Sequence, residues 1–80
     1  MLQEIILKLL AYYEPDRFKR SNGLIREPEF SAYTPRELTQ AHQALRRAML
    51  LEMRATGRSD ASYKLTAAGI AARDALKEAQ

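Results

Sequence analysis

The chain has 80 residues, with 13 Lys and Arg against 10 Asp and Glu, a formal net charge of +3, a pI near 9.5 and no cysteine. One domain spanning 1–80 with a modest core suits that length, and the mild basicity permits a polyanionic partner without requiring one. The lack of thiols excludes a disulfide framework and a thiolate metal site and suits a reducing cytoplasm, while no run approaches the roughly 18 apolar residues of a membrane span.

In the first stretch, Leu2, Ile5, Ile6, Leu9, Leu10 and Tyr13 recur at helical spacing. An amphipathic helix is expected, with Gln3, Glu4 and Lys8 outside; Glu4 and Lys8 inside the apolar run also argue against a signal peptide. Leu7 and Ala11 fall off the stripe and admit two readings, a dimer contact or ordinary partial exposure. Pro15 ends the helix, and residues 14–23 read as an irregular connection anchored inward by Phe18. Arg17, Lys19 and Arg20 cluster there beside Glu14 and Asp16, which reads as a solvated loop. Ser21-Asn22-Gly23 signals a turn, Leu24-Ile25-Arg26 a very short strand, and Pro28 the first position of a short helix containing Glu29, Phe30 and Ser31.

The best-marked element is the helix predicted over 35–50. Thr34 and Glu37 form a Thr-x-x-Glu capping box, Pro35 suits the first helical position, and Tyr33 and Leu38 are spaced as a hydrophobic staple. Leu38, Ala41, Leu45, Ala48 and Met49 share one side, with His42 at its edge. The other side collects Arg36, Thr39, Gln40, Gln43, Arg46 and Arg47, with Glu37 on the flank. Side chains of these types read base edges or hold phosphates; the competing reading is a solvated helix face. Residues 35–64 hold six basic groups against three acids, which accounts for the whole net surplus of +3.

Beyond Leu50 the period becomes two. Leu51 and Met53 alternate with Glu52 and Arg54, and Tyr63 and Leu65 flank Lys64, so an antiparallel hairpin over 51–65 is expected with Arg58 near its tip. Thr66 then caps a final helix from Ala67 to about Glu78 with a slim stripe of Ala68, Ala72, Ala75, Leu76 and Ala79; Ile70 lies off that stripe and leaves its buried side open.

The predicted class is therefore mostly α with a small β-hairpin: helix, short strand, short helix, long helix, two strands, helix. This order, together with Tyr63-Lys64-Leu65-Thr66-Ala67-Ala68-Gly69, resembles a winged helix-turn-helix domain. The run is similar to the Tyr-x-Leu-Thr-x-x-Gly pattern that closes the wing in many bacterial and phage regulators, including the multiple-antibiotic-resistance and phenolic-acid regulator families. In this pattern Tyr63 and Leu65 face the core, and Gly69 permits close helix approach at a propensity cost of roughly 1 kcal/mol. The long 14–23 connection and the second helix, shortened by Pro28, depart from the family.

The resemblance implies a sequence-specific double-stranded DNA-binding protein, a small bacterial or phage transcriptional regulator acting as a homodimer in the cytoplasm. Its base-reading helix would carry Arg36, Thr39, Gln40, Gln43, Arg46 and Arg47, and its wing would carry Arg54, Arg58 and Lys64. The alternative is a winged-helix interaction module whose basic face binds an acidic protein surface, such as a phage-encoded inhibitor or a small subunit of a nucleic-acid-processing complex. A plasmid or phage replication or recombination factor is a further reading. Enzymatic chemistry has no support: His42 is the single histidine and lacks a nucleophile nearby. Glu27 and Glu29 have no further ligand at metal spacing, and the glycines are too dispersed for a phosphate loop. No cofactor, metal or small-molecule ligand is expected. Tyr12, Tyr13 and Phe18 are expected to be core and rim, without basic residues interleaved for base stacking.

Overall fold

The computed structural model describes residues 2–55 and 61–78. Three α-helices, α1 (Leu2–Tyr12), α2 (Pro35–Arg47) and α3 (Ala67–Glu78), accompany a three-stranded antiparallel sheet of β1 (Lys19–Arg20), β2 (Leu51–Ala55) and β3 (Ala61–Leu65). The sheet order is β1-β3-β2, so the last strand in sequence lies in the middle. The hairpin turn with Arg58, Ala79, and the side chains of Leu2 and Gln3 lie outside the described residues.

The apolar stripe of α1 delivers Ile5, Leu9, Leu10 and Tyr13 to the core, where they meet Leu38, Ala41 and Leu45 of α2 and Leu51, Tyr63 and Leu65 of the hairpin. The strand register follows from the side-chain period of two: Leu51 opposes Leu65 and Met53 opposes Tyr63, so these four share the inward side. Of the residues set off the α1 stripe, Leu7 is half-buried and Ala11 exposed.

The segment between α1 and α2 departs from expectation. Residues Ser21–Arg26 form a 3-10 helix where a short strand was predicted, and the strand lies earlier, at Lys19–Arg20. Two contacts account for the shift. The Lys19 ammonium sits 3.8 Å from the centre of the Tyr12 ring and 3.2 Å from the Tyr12 carbonyl oxygen, which holds Lys19 beside the end of α1 and the open edge of β3. Just beyond, a Cβ at Gly23 would lie 3.0 Å from the Tyr12 hydroxyl, so the chain must turn against that ring. Leu24 then enters the core. The short helix at Pro28 is a single 3-10 turn, Pro28–Phe30, which buries Phe30. Leu24 and Phe30 are thus the inward anchors. Phe18, predicted for that role, lies half-buried on the outer side of the sheet.

The capping box of α2 forms in both directions: Glu37 N–H donates to Thr34 Oγ1 (3.1 Å) and Thr34 N–H donates to Glu37 Oε1 (2.9 Å). Tyr33 and Leu38, the predicted staple, both pack into the core cluster. The helix stops at Arg47, three residues before the expected end. Met49 N–H donates to the Arg46 carbonyl (3.0 Å) and Leu50 N–H to that of Leu45 (2.9 Å), with Met49 at φ 61°. These are the two bonds of a Schellman motif, whose left-handed position is normally glycine. Ala48 and Met49 are therefore exposed instead of lying on the buried stripe.

The exit of α2 is joined directly to the start of α3. Thr66 Oγ1 donates to the Met49 carbonyl (2.7 Å) and accepts from Gly69 N–H (3.0 Å), while Thr66 N–H donates to the Leu50 carbonyl (3.1 Å). A Cβ at Gly69 would sit 2.2 Å from that same Leu50 oxygen, so only glycine permits this approach. The approach selects the buried side of α3: Gly69 is buried and Ile70, Ala72 and Leu76 pack on the core. Ala68 and Ala75, on the slim stripe whose burial the sequence left open, are exposed, whereas Ala72 and Leu76 of that stripe turn inward together with Ile70.

Candidate functional site

The inner side of α2 is anchored by Leu38, Ala41, His42 and Leu45. That burial fixes the direction of the outer side, where Arg36, Thr39, Gln40, Gln43, Arg46 and Arg47 are all exposed. Among the described residues, the side chains of Arg36, Arg46 and Arg47 make neither a hydrogen bond nor an ion pair. Glu37, the one acid on this helix, is committed to the cap, and its bonds from Thr34 hold its carboxyl below the usual range. The result is an acid-free polar ridge with cations at both ends and two glutamines between them.

His42 fastens the inner side of that ridge. Its Nδ1 lies 2.6 Å from the Leu38 carbonyl and its Nε2 2.7 Å from the Tyr13 hydroxyl. A carbonyl only accepts, so Nδ1 carries the proton and Nε2 accepts from Tyr13. The ring also packs against Tyr13 and Tyr63, at centroid distances of 5.6 and 4.8 Å. With both nitrogens engaged and the ring buried, His42 holds α2 to α1. Burial lowers its pKa and raises that of Tyr13.

The expected hairpin cations occupy a different surface. Because Leu51, Met53, Tyr63 and Leu65 point inward, Arg54 and Lys64 project from the outer side of the sheet. There they converge on Phe18: the Arg54 guanidinium carbon is 4.2 Å and Lys64 Nζ 5.0 Å from its ring centre. Lys64 also pairs with Glu52 at 3.6 Å. The predicted residues thus form two groups, the six on α2 and the pair on the sheet, with Arg58 outside the described residues. Phe18 is the residue that sequence reasoning missed as part of the basic surface. It lies in the connection just before β1, and the β1–β3 pairing brings it to Arg54 and Lys64.

Two depressions flank the Gln43–Arg46 part of the ridge. A smaller one of about 320 Å³ runs between Thr39, His42 and Gln43 and the Ser21–Leu24 turn. A larger one of about 900 Å³ lies between Gln43, Arg46 and Arg47 on α2, Leu51, Glu52 and Met53 on β2, and Ala67 and Ala68 on α3. Among the described residues, no cluster of three or more histidine or acidic side chains is arranged to hold a metal ion, and no helix is long and apolar enough to cross a membrane. No protein-family model, curated protein or solved structure matches the chain.

Proposed function

We propose that the chain is a small double-stranded-DNA-binding domain of the winged helix-turn-helix type, working as a bacterial or phage transcriptional regulator. The single observation that carries this reading is the outer side of α2: six exposed Arg, Gln and Thr side chains, its three arginines unpaired among the described residues, on a helix whose other side is locked into the core. The antiparallel β2–β3 hairpin directly after α2 and the β1-β3-β2 order support it further. Gln40, Gln43 and Arg47 read base edges in the major groove, each well-formed bidentate pair contributing about 1–3 kcal/mol of discrimination. Arg36 and Arg46 hold phosphates, and Arg54 and Lys64 meet backbone beyond the edge of the groove, which makes affinity fall steeply with salt.

The test is titration of the chain into mixed-sequence duplex at low and moderate salt, followed by selection of preferred sequences. Salt-sensitive binding at micromolar protein is expected, and replacing Gln40 and Gln43 by alanine relaxes the sequence preference. Absence of salt-sensitive binding, or equal losses on all duplexes from that double variant, removes base reading by α2.

A further inference from the structure

The larger groove has a floor that a nucleic-acid backbone does not need. Met49, 74 % exposed, and Met53, 38 % exposed, are the large apolar side chains left in water among the described residues, and both line it. Each is there for a separate structural reason. Met53 belongs to the inward row of β2 but lies two residues beyond Leu51, which is buried where Met53 is not. Met49 occupies the left-handed position of the Schellman motif at φ 61°, where glycine would be unstrained and would carry no side chain. Retaining a long apolar side chain at a strained position, aimed into a groove, is a local cost that points to use of that side chain.

The rim gives the sign of the occupant. Arg46 and Arg47 stand on the α2 side without partners among the described residues, and Glu52, the acid on the opposite wall, is engaged by Lys64. An apolar floor beneath unpaired guanidinium groups complements a chain that carries spaced apolar side chains and carboxylates. Phosphate oxygens would satisfy the arginines but leave both methionines without a contact. Methionine is suited to such a floor because its unbranched, polarizable side chain adapts to differently shaped apolar partners.

The geometry points to this groove as a docking site for an acidic, amphipathic segment of a partner protein. The segment places apolar side chains on Met49 and Met53 and carboxylates on Arg46 and Arg47. Because those arginines also belong to the α2 ridge, the segment and a duplex compete; that clause alone rests on the DNA-binding reading.

The experiment selects short peptides from a random displayed library on the full chain and titrates the synthetic peptides into chain labelled at its methionine methyl groups. The chain has three methionines, and the Met49→Gly and Met53→Ser variants assign two of the signals. Selected peptides are expected to combine carboxylates with spaced apolar residues, to bind saturably and to move the Met49 and Met53 signals. Met49→Gly raises the unfolding midpoint yet weakens the peptide by roughly tenfold, as expected for a central contact. Met53→Ser weakens it in the same direction, and Arg36→Ala, at the far end of α2, leaves it within about twofold. Selection that yields no saturable binder, or binders indifferent to both methionine variants, overturns the docking site. Peptide binding without any duplex binding leaves the groove in place and removes only the competition.

Discussion

His42 illustrates how one residue acquires a role from a distant part of the chain. Its hydrogen bond from Tyr13 crosses between helices, so nothing within its own helical period announces it; the sequence suggests only an edge histidine covering the core. The pairing makes folding pH-dependent. Burial lowers the pKa of His42 from 6.5, so near and below that value the unfolded chain takes up a proton that the folded chain resists. Stability is complete above about pH 6.5 and declines as the pH falls through the folded pKa. Urea midpoints should therefore be level at neutral pH and drop on acidification through this window. His42→Leu should flatten that drop while lowering the neutral plateau by about 1–3 kcal/mol, because the buried Tyr13 hydroxyl loses its acceptor. A midpoint in the native protein unchanged between neutral and mildly acidic pH would show that the ring is protonated in place. Phe18 is the converse case. It was legible as an apolar side chain needing cover, but the cover is Arg54 and Lys64 on the sheet's outer side, and only the strand register brings them there.

At the scale of elements, beginnings were easier to read than ends. The start of α2 is written in contiguous residues, Thr34, Pro35 and Glu37, and forms as their chemistry dictates. Its end carries no glycine, and Met49 continues the apolar spacing, so the periodicity runs past the true stop at Arg47. The buried side of α3 was obscure for a related reason: alanines fit a buried or an exposed side equally well. What decides it is backbone approach at Gly69, and a substitution there separates two physical effects of opposite sign. Helix propensity alone would make Gly69→Ala stabilising by about 1 kcal/mol. The 2.2 Å approach of the new Cβ to the Leu50 carbonyl instead predicts a loss of about 2 kcal/mol, typical of overpacking against an atom that cannot rotate away. Thermal or urea unfolding of this one variant distinguishes them by sign, and a gain in stability would mean that the α2–α3 junction yields readily.

For the molecule as a whole, the succession of helices and the hairpin follow from periodicity and caps, each of which is local. The division of the basic residues between the α2 ridge and the outer sheet does not, because it depends on which strand joins the sheet and at which register. The turn at Ser21–Arg26 in place of a strand has the same origin: its contacts run back to Tyr12 and forward to β3. That three-way dependence has a consequence for motion. The strands β2 and β3 pair over five residues along a local hairpin, whereas β1 adds only Lys19 and Arg20, opposite Tyr63 and Ser62. Its attachment is extended by the bond from Leu65 N–H to the Glu14 carbonyl. Native-state hydrogen exchange should therefore resolve a low-energy opening in which residues 14–26 detach together while the hairpin and α2 stay closed. The amides joining β1 to β3 should exchange well before those joining β2 to β3. A common exchange free energy for both sets would mean that the sheet opens as one unit. If the openings differ, β3 has one durable border and one that breathes, and the outer sheet surface with Phe18 exists only as long as the weaker border is shut.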